Sequence, residues 1–173
     1  MNFYMTFGTA GFLEGIQEGI KDGELLLMHG DDNTVLMHET PEQSSFKSGK
    51  KYEVLDAVGE LSKGSYAVLN NIPVTDEGRP VFEYRFKNRA GLIENEQGFA
   101  AIRVLRPMDS DTYVILTLWE DIKYFKQWQE SKAYNKAHEK RENSEGGEQK
   151  QQVFPRPSYV TTYHAQLPEE EKE

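Results

Sequence analysis

The 173-residue chain contains no cysteine. That excludes disulfides, thiolate metal sites and a cysteine nucleophile. It has no apolar run near the roughly 18 residues that a membrane-spanning helix needs. Its opening, MNFYMTFGTAGFLEGI, lacks a basic leader region and soon meets Glu14 and Glu18, so a secretory signal is not expected and a cytoplasmic location is. Basic residues are outnumbered, 20 against 29 acidic, for a net charge of −9. Binding to nucleic acid or an anionic membrane is therefore disfavoured. The deficit is uneven: residues 1–60 hold four Lys and eleven Asp or Glu, leaving the remainder of the chain near balance.

Aromatic residues are plentiful, with nine Phe and nine Tyr besides two Trp, and 37% of residues are apolar. That is enough for one core, as a single domain or two halves sharing it. Phe3 to Phe7 reads as a strand ending at Gly8, and Thr9 can cap a helix running to about Ile20. Glu24–His29 and Thr34–Glu39 flank Gly30-Asp31-Asp32-Asn33, a hairpin signal. Residues 40–50 form a polar loop, and Lys51–Leu61 fits a bulged strand or a helix, with strand preferred. Tyr66–Val74 is strand-like. A helix follows with Pro80 in its first turn and Phe82, Phe86 and Ala90 at four-residue spacing. Phe99–Leu105 and the apolar TYVILTLW at 112–119 are strands, Asp121–Gln129 is helical, and Ser131 can start a further helical piece. Residues 142–157 read as a polar loop and Tyr159–Ala165 as a closing strand.

The order over 64–166, β-α-β-β-α-(α)-β, is that of a ferredoxin-like α+β unit with one antiparallel sheet. Residues 1–63 supply an abbreviated β-α-β-β half, able to pair with the second as one subunit of a dimer pairs with another. Residues 167–173 make an acidic tail.

The segment YFKQWQESKAYNKAHEKR, from Tyr124 to Arg141, is mostly charged, yet it carries Trp128 and, ten residues on, His138. On one unbroken helix they would be offset by about 80° and lie about 15 Å apart. Tyr124, Phe125, Trp128, Tyr134 and His138 can line a groove for a flat ligand, or form the buried stripe of an amphipathic helix.

The runs VLNNIPV, TYVILTLWEDIKYFKQW and SKAYNKAHEKR resemble the haem-degrading monooxygenases of the IsdG type, within the antibiotic-biosynthesis-monooxygenase (ABM) fold. The full chain, with MTFGTAGFLEGI and AVLNNIPVTDEGRPVFEYRFKNRAG, is similar to the longer HmoB-type enzymes and to TRAP-type signalling proteins. The resemblance implies a ferredoxin-like fold of the dimeric α/β-barrel type. It also implies a site in which His138 ligates haem iron, Asn70 supplies an amide hydrogen and Trp128 presses on the ring. Asn71 is the alternative to Asn70, since neighbours on a strand point to opposite faces. Phe125 would pack on the haem. Arg141 would meet a propionate, with Lys132, Lys140, Arg79 and Arg89 as further candidates. Haem would be both cofactor and substrate, used with dioxygen and an external electron donor such as a reductase, by a monomer with one site. The alternatives are a non-enzymatic haem-binding or stress-signalling protein of the TRAP type, and a cofactor-free ABM enzyme oxidising a quinol.

Other motifs point to structure rather than chemistry. His29 and His38 are offset along the hairpin and read as polar edge positions, not a metal pair. His164 reads as a core, rim or haem-neighbouring residue. Gly8-Thr9-Ala10-Gly11 lacks a dinucleotide fingerprint, and Asp109 and Asp111 belong to a turn.

Overall fold

The computed structural model of the protein describes residues 1–87, 93–131 and 153–166. Eight strands alternate with three helices in these residues: β1 (Asn2–Gly8), α1 (Ala10–Glu18), β2 (Glu24–His29), β3 (Thr34–Thr40), β4 (Lys50–Gly59), β5 (Tyr66–Pro73), α2 (Arg79–Lys87), β6 (Phe99–Pro107), β7 (Thr112–Trp119), α3 (Ile122–Glu130) and β8 (Tyr159–His164). Thr9 caps α1, accepting from the Phe12 N–H, and Asp121 caps α3, accepting from Lys123. Each cap oxygen satisfies an amide that has no partner inside the helix.

The strands close into a barrel in the order β1-β3-β2-β8-β5-β7-β6-β4, every pairing antiparallel. Each half repeats one strand order, fourth-first-third-second, as β4-β1-β3-β2 and β8-β5-β7-β6. This is the ferredoxin-like α+β arrangement with an antiparallel sheet. The ambiguous stretch at 51–61 is β4, which brings the N-terminal half to four strands. Its register shifts between Val54 and Asp56, turning Leu55 outward to the cluster under α2 and breaking the two-residue period.

The halves meet at two unequal seams. β4 and β6 pair from Tyr52↔Pro107 to Gly59↔Ala101, whereas β2 and β8 share only the pair His29↔His164. At the weaker seam, the Tyr163 ring lies where a side chain on Gly30 would stand, 2.8 Å from the position of its Cβ.

Alternate residues fill the barrel, among them Phe3, Met5, Met28, Val35, Met37, Tyr52, Leu69, Leu105, Leu116 and Leu118. Burial pushes the Tyr52 phenol above its ordinary pKa. On the same inward face lies a buried ion pair: Arg103 donates to Glu39 through Nε at 2.6 Å and through a terminal nitrogen at 3.2 Å. Its guanidinium also donates to the carbonyls of Val58, Gly59 and Ile102. The pair links β3 of one half to β6 of the other. His38, read as an edge position, instead lies buried on the inner strand β3 between β1 and β2. His29 is likewise buried, with Nδ1 3.0 Å from Thr34 Oγ1.

Outside the barrel, α2 is tied down by Arg106, which donates to Glu83 at 3.0 Å and to Glu53 at 2.9 Å. The Tyr113 hydroxyl also donates to Glu83. The hydrogen bonds from Arg106 hold the Glu83 carboxyl below its ordinary pKa of 4.5.

Two outcomes follow from these contacts. Removing one member of a buried pair strands the other charge, so Glu39→Leu should cost about 3–5 kcal/mol in urea unfolding, and adding Arg103→Met should restore most of that loss. Because the folded pKa of Glu83 is depressed, its contribution is complete above about pH 4.5 and is lost as pH falls through the folded value. Unfolding followed across that window should show a shallower acid limb for Glu83→Gln than for the parent.

Candidate functional site

The outward side chains of β5 are Tyr66, Val68, Asn70 and Ile72. Tyr66 and Val68 pack with Trp119, and with the partly buried Phe125 and Trp128 of α3. Ile72 packs with Tyr113, Phe82 and Val153 beneath α2. Ala67 and Leu69 face into the barrel. Strand alternation therefore puts Asn70 on the helix-covered outer face and Asn71 inside.

Their environments differ accordingly. Asn71 is 7% exposed, and its amide nitrogen contacts the Leu69 and Tyr159 carbonyls and the Thr161 hydroxyl at 3.1–3.2 Å. Asn70 is half-buried, and its side chain makes no hydrogen bond among the described residues. Its cross-strand neighbours are Ile115 on β7 and Val160 on β8. Val160 is 60% exposed, an apolar side chain on the outer sheet face. The Asn70 amide thus stands between apolar side chains on the outer face, without a hydrogen-bond partner among the described residues.

Toward the start of β5, aromatic rings run in a chain. His164 stacks on Tyr66 at 4.9 Å, Tyr66 meets Phe125 at 5.8 Å, and Phe125 meets Trp128 at 6.1 Å. Trp128 also lies 5.7 Å from Trp119, which is fully buried and donates to Thr117. Trp128 is thus packed by the cluster and half-buried, with one part still accessible. Asn70 shares this face but sits four residues further along β5, about 13 Å at strand rise. Trp128 and Phe125 are brought together, and Asn70 is the next outward residue after Val68, which packs in the same cluster.

α3 is seated by Gly98. Its φ is +79°, and a Cβ there would lie 2.0 Å from Tyr124 Cγ. Only glycine adopts this conformation freely and leaves room for the ring. Gly98, Trp119 and Tyr66 support the site without any motif to mark them. Strand alternation puts Trp119 on the face opposite the barrel-facing Leu118.

His138 and Arg141 lie outside the described residues, as do Lys132, Tyr134, Lys140 and Arg89. Arg79 donates to the carbonyls of Pro107 and Ser110 and covers the Tyr113 ring at 5.4 Å. It anchors the start of α2 to the β6–β7 turn, which accounts for its charge without a propionate. No group of three or more His, Asp or Glu able to hold a metal occurs among the described residues, and no helix among them is long and apolar enough to cross a membrane.

The strand order and the outer-face helices define a ferredoxin-like α+β protein, and residues 65–140 match the antibiotic biosynthesis monooxygenase family model. Among relatives, the "Signal transduction protein TRAP" of Staphylococcus aureus strain MSSA476 is 29% identical over 132 residues, covering 76% of this chain and 79% of the relative. Its Staphylococcus epidermidis counterpart is 26% identical, covering 71% and 77%. A structure described as a major regulator of staphylococcal pathogenesis superposes with a TM-score of 0.81 at 23% identity, covering 96% of this chain and 100% of that one. The heme-degrading enzyme LmHde of Listeria monocytogenes gives 0.70 at 19% identity, covering 96% and 100%. These two structures share the fold.

The two asparagines have separable roles. Asn71→Ala should lower stability by about 1–3 kcal/mol because it leaves buried acceptors unsatisfied. Asn70→Ala should stay within about 0.5 kcal/mol of the parent in the same denaturant titration.

Proposed function

We propose that this protein is a haem-degrading monooxygenase of the IsdG/HmoB type. The observation that carries the reading is Asn70: a half-buried amide with no protein partner among the described residues, set among apolar neighbours on the face that α3 flanks. The ABM match over 65–140 and the fold shared with a heme-degrading enzyme support it.

In this reading His138 would hold the haem iron through a neutral imidazole nitrogen. Trp128 and Phe125 give the apolar wall. Trp128 is braced from behind by Trp119, so it can press on a bound ring without yielding. Asn70 would donate its amide hydrogen to the bound group, and Arg141 would neutralise a propionate. When bound, haem supplies the redox-active iron and, as substrate, the macrocycle that is oxidised and opened with dioxygen and electrons from an external donor. The protein contributes position and exclusion of water.

A second reading is favoured by the similarity to the staphylococcal signal transduction proteins: a non-enzymatic protein of the TRAP type, acting in signalling or in haem binding. Haem titration followed by reductant and oxygen separates the two. Consumption of the Soret band with release of iron supports the enzyme. A stable Soret band under oxygen and ascorbate supports haem binding alone, and no Soret shift at all removes haem from the function.

Within the enzyme reading, His138→Ala should abolish the axial-ligand spectrum. Asn70→Ala should keep binding and lower turnover by about 10²-fold, the scale of a lost donor at a developing charge. The ring of strands closes within one chain, which supports a monomer; light scattering at the monomer mass, near 19.9 kDa, is the expected result.

A further inference from the structure

The repeat of strand order gives the outer face around Asn70 a counterpart in the N-terminal half. Tyr4 on β1 takes the place of Asn70, flanked by His38 on β3 and Lys51 on β4, as Asn70 is flanked by Ile115 and Val160. The second half runs from β7 into α3. The first half has only the loop 41–49 between β3 and β4, and this leaves a cavity of about 160 Å³ lined by Tyr4, Ser44, Phe46, Lys47, Lys50 and Lys51, among others.

The loop wall is pinned in place. His38 Nε2 lies 2.9 Å from the Asp22 carbonyl, so it carries the hydrogen and leaves Nδ1 to accept from Ser44 Oγ at 2.9 Å. Ser44 Oγ in turn accepts from the Phe46 N–H, and the Tyr4 hydroxyl donates to the Glu42 carbonyl. Tyr4 and Phe46 then stand edge to face, 6.5 Å apart at 80°.

The charge of this cavity opposes that of its surroundings. Residues 1–60 carry four basic residues against eleven acidic ones, yet three of those four, Lys47, Lys50 and Lys51, line it. None of the three forms an ion pair among the described residues. Lys50 and Lys51 lie instead over the rings of Phe7 and Tyr4, each at 5.9 Å. A cation held by a ring face keeps its ammonium hydrogens for another partner.

We propose that this cavity binds a small aromatic carboxylate, its ring against Phe46 and Tyr4 and its charge on Lys47 and Lys51, since Lys50 turns to Phe7 on the opposite face of β4. The volume matches one six-membered ring, since a cavity of about 150 Å³ accommodates benzene. The site is separate from the haem face and does not depend on the enzymatic reading.

The probe is sodium benzoate added to the full chain at constant ionic strength, followed by amide NMR shifts, with inorganic phosphate as the comparison anion. Saturable shifts confined to Tyr4 and residues 43–51 are expected. Lys51→Gln should weaken binding by about tenfold, and Lys47→Gln, on the exposed loop, by about threefold. No saturable shift up to about 50 mM benzoate, a range that covers very weak sites, overturns the proposal. So does phosphate binding as tightly as benzoate, or unchanged affinity in Lys47→Gln should Lys51→Gln fail to fold.

Discussion

The Glu39–Arg103 pair is the constraint on which the barrel depends. A carboxylate and a guanidinium sit on the inward face of a mostly apolar interior. Neither is tolerable there alone, because an isolated buried charge costs several kcal/mol even after relaxation. The two-pronged contact, with three carbonyls taking the remaining guanidinium hydrogens, fixes how β3 must stand relative to β6. Hydrophobic residues would fill the same space in several registers. The directional pair accepts one, and so aligns the two halves.

Once aligned, the halves diverge in what they present outward. The second half covers its face with α2 and α3 and sets a single amide, Asn70, among aliphatic and aromatic side chains. The first half has α1 and a short loop, and its equivalent positions are a phenol, an imidazole and a lysine. One scaffold thus carries an apolar face in one half and a cationic hollow in the other, with nothing in the sheet itself requiring the difference.

Much of this was legible in the sequence. Turn residues and alternation marked β1 to β3 and β5 to β8 within a residue or two, and Thr9 and Asp121 announced their helices. β4 was ambiguous because its bulge at Leu55 breaks the two-residue period on which strand reading relies. Barrel closure was legible only through the family resemblance: the β4–β6 pairing joins segments about fifty residues apart, and no local pattern encodes which edge meets which. The same limit left Asn71 standing as an alternative to Asn70 on paper. Their separation comes from strand register, which hands one to the barrel and the other to the helices. His38 looked like an edge residue because its strand was taken as the outer arm of a hairpin, before β1 was known to lie alongside it.

The inequality of the two junctions gives the barrel a direction in which to open. With β4 and β6 laced along their length and β2 meeting β8 through one rung, the wall behaves like a book bound at one spine and held by a clasp at the other edge. Releasing the clasp would let the covers swing while each half kept its own four strands intact. Water would then first reach the interior beside Tyr163 and Met28, far from the binding that holds the pages together.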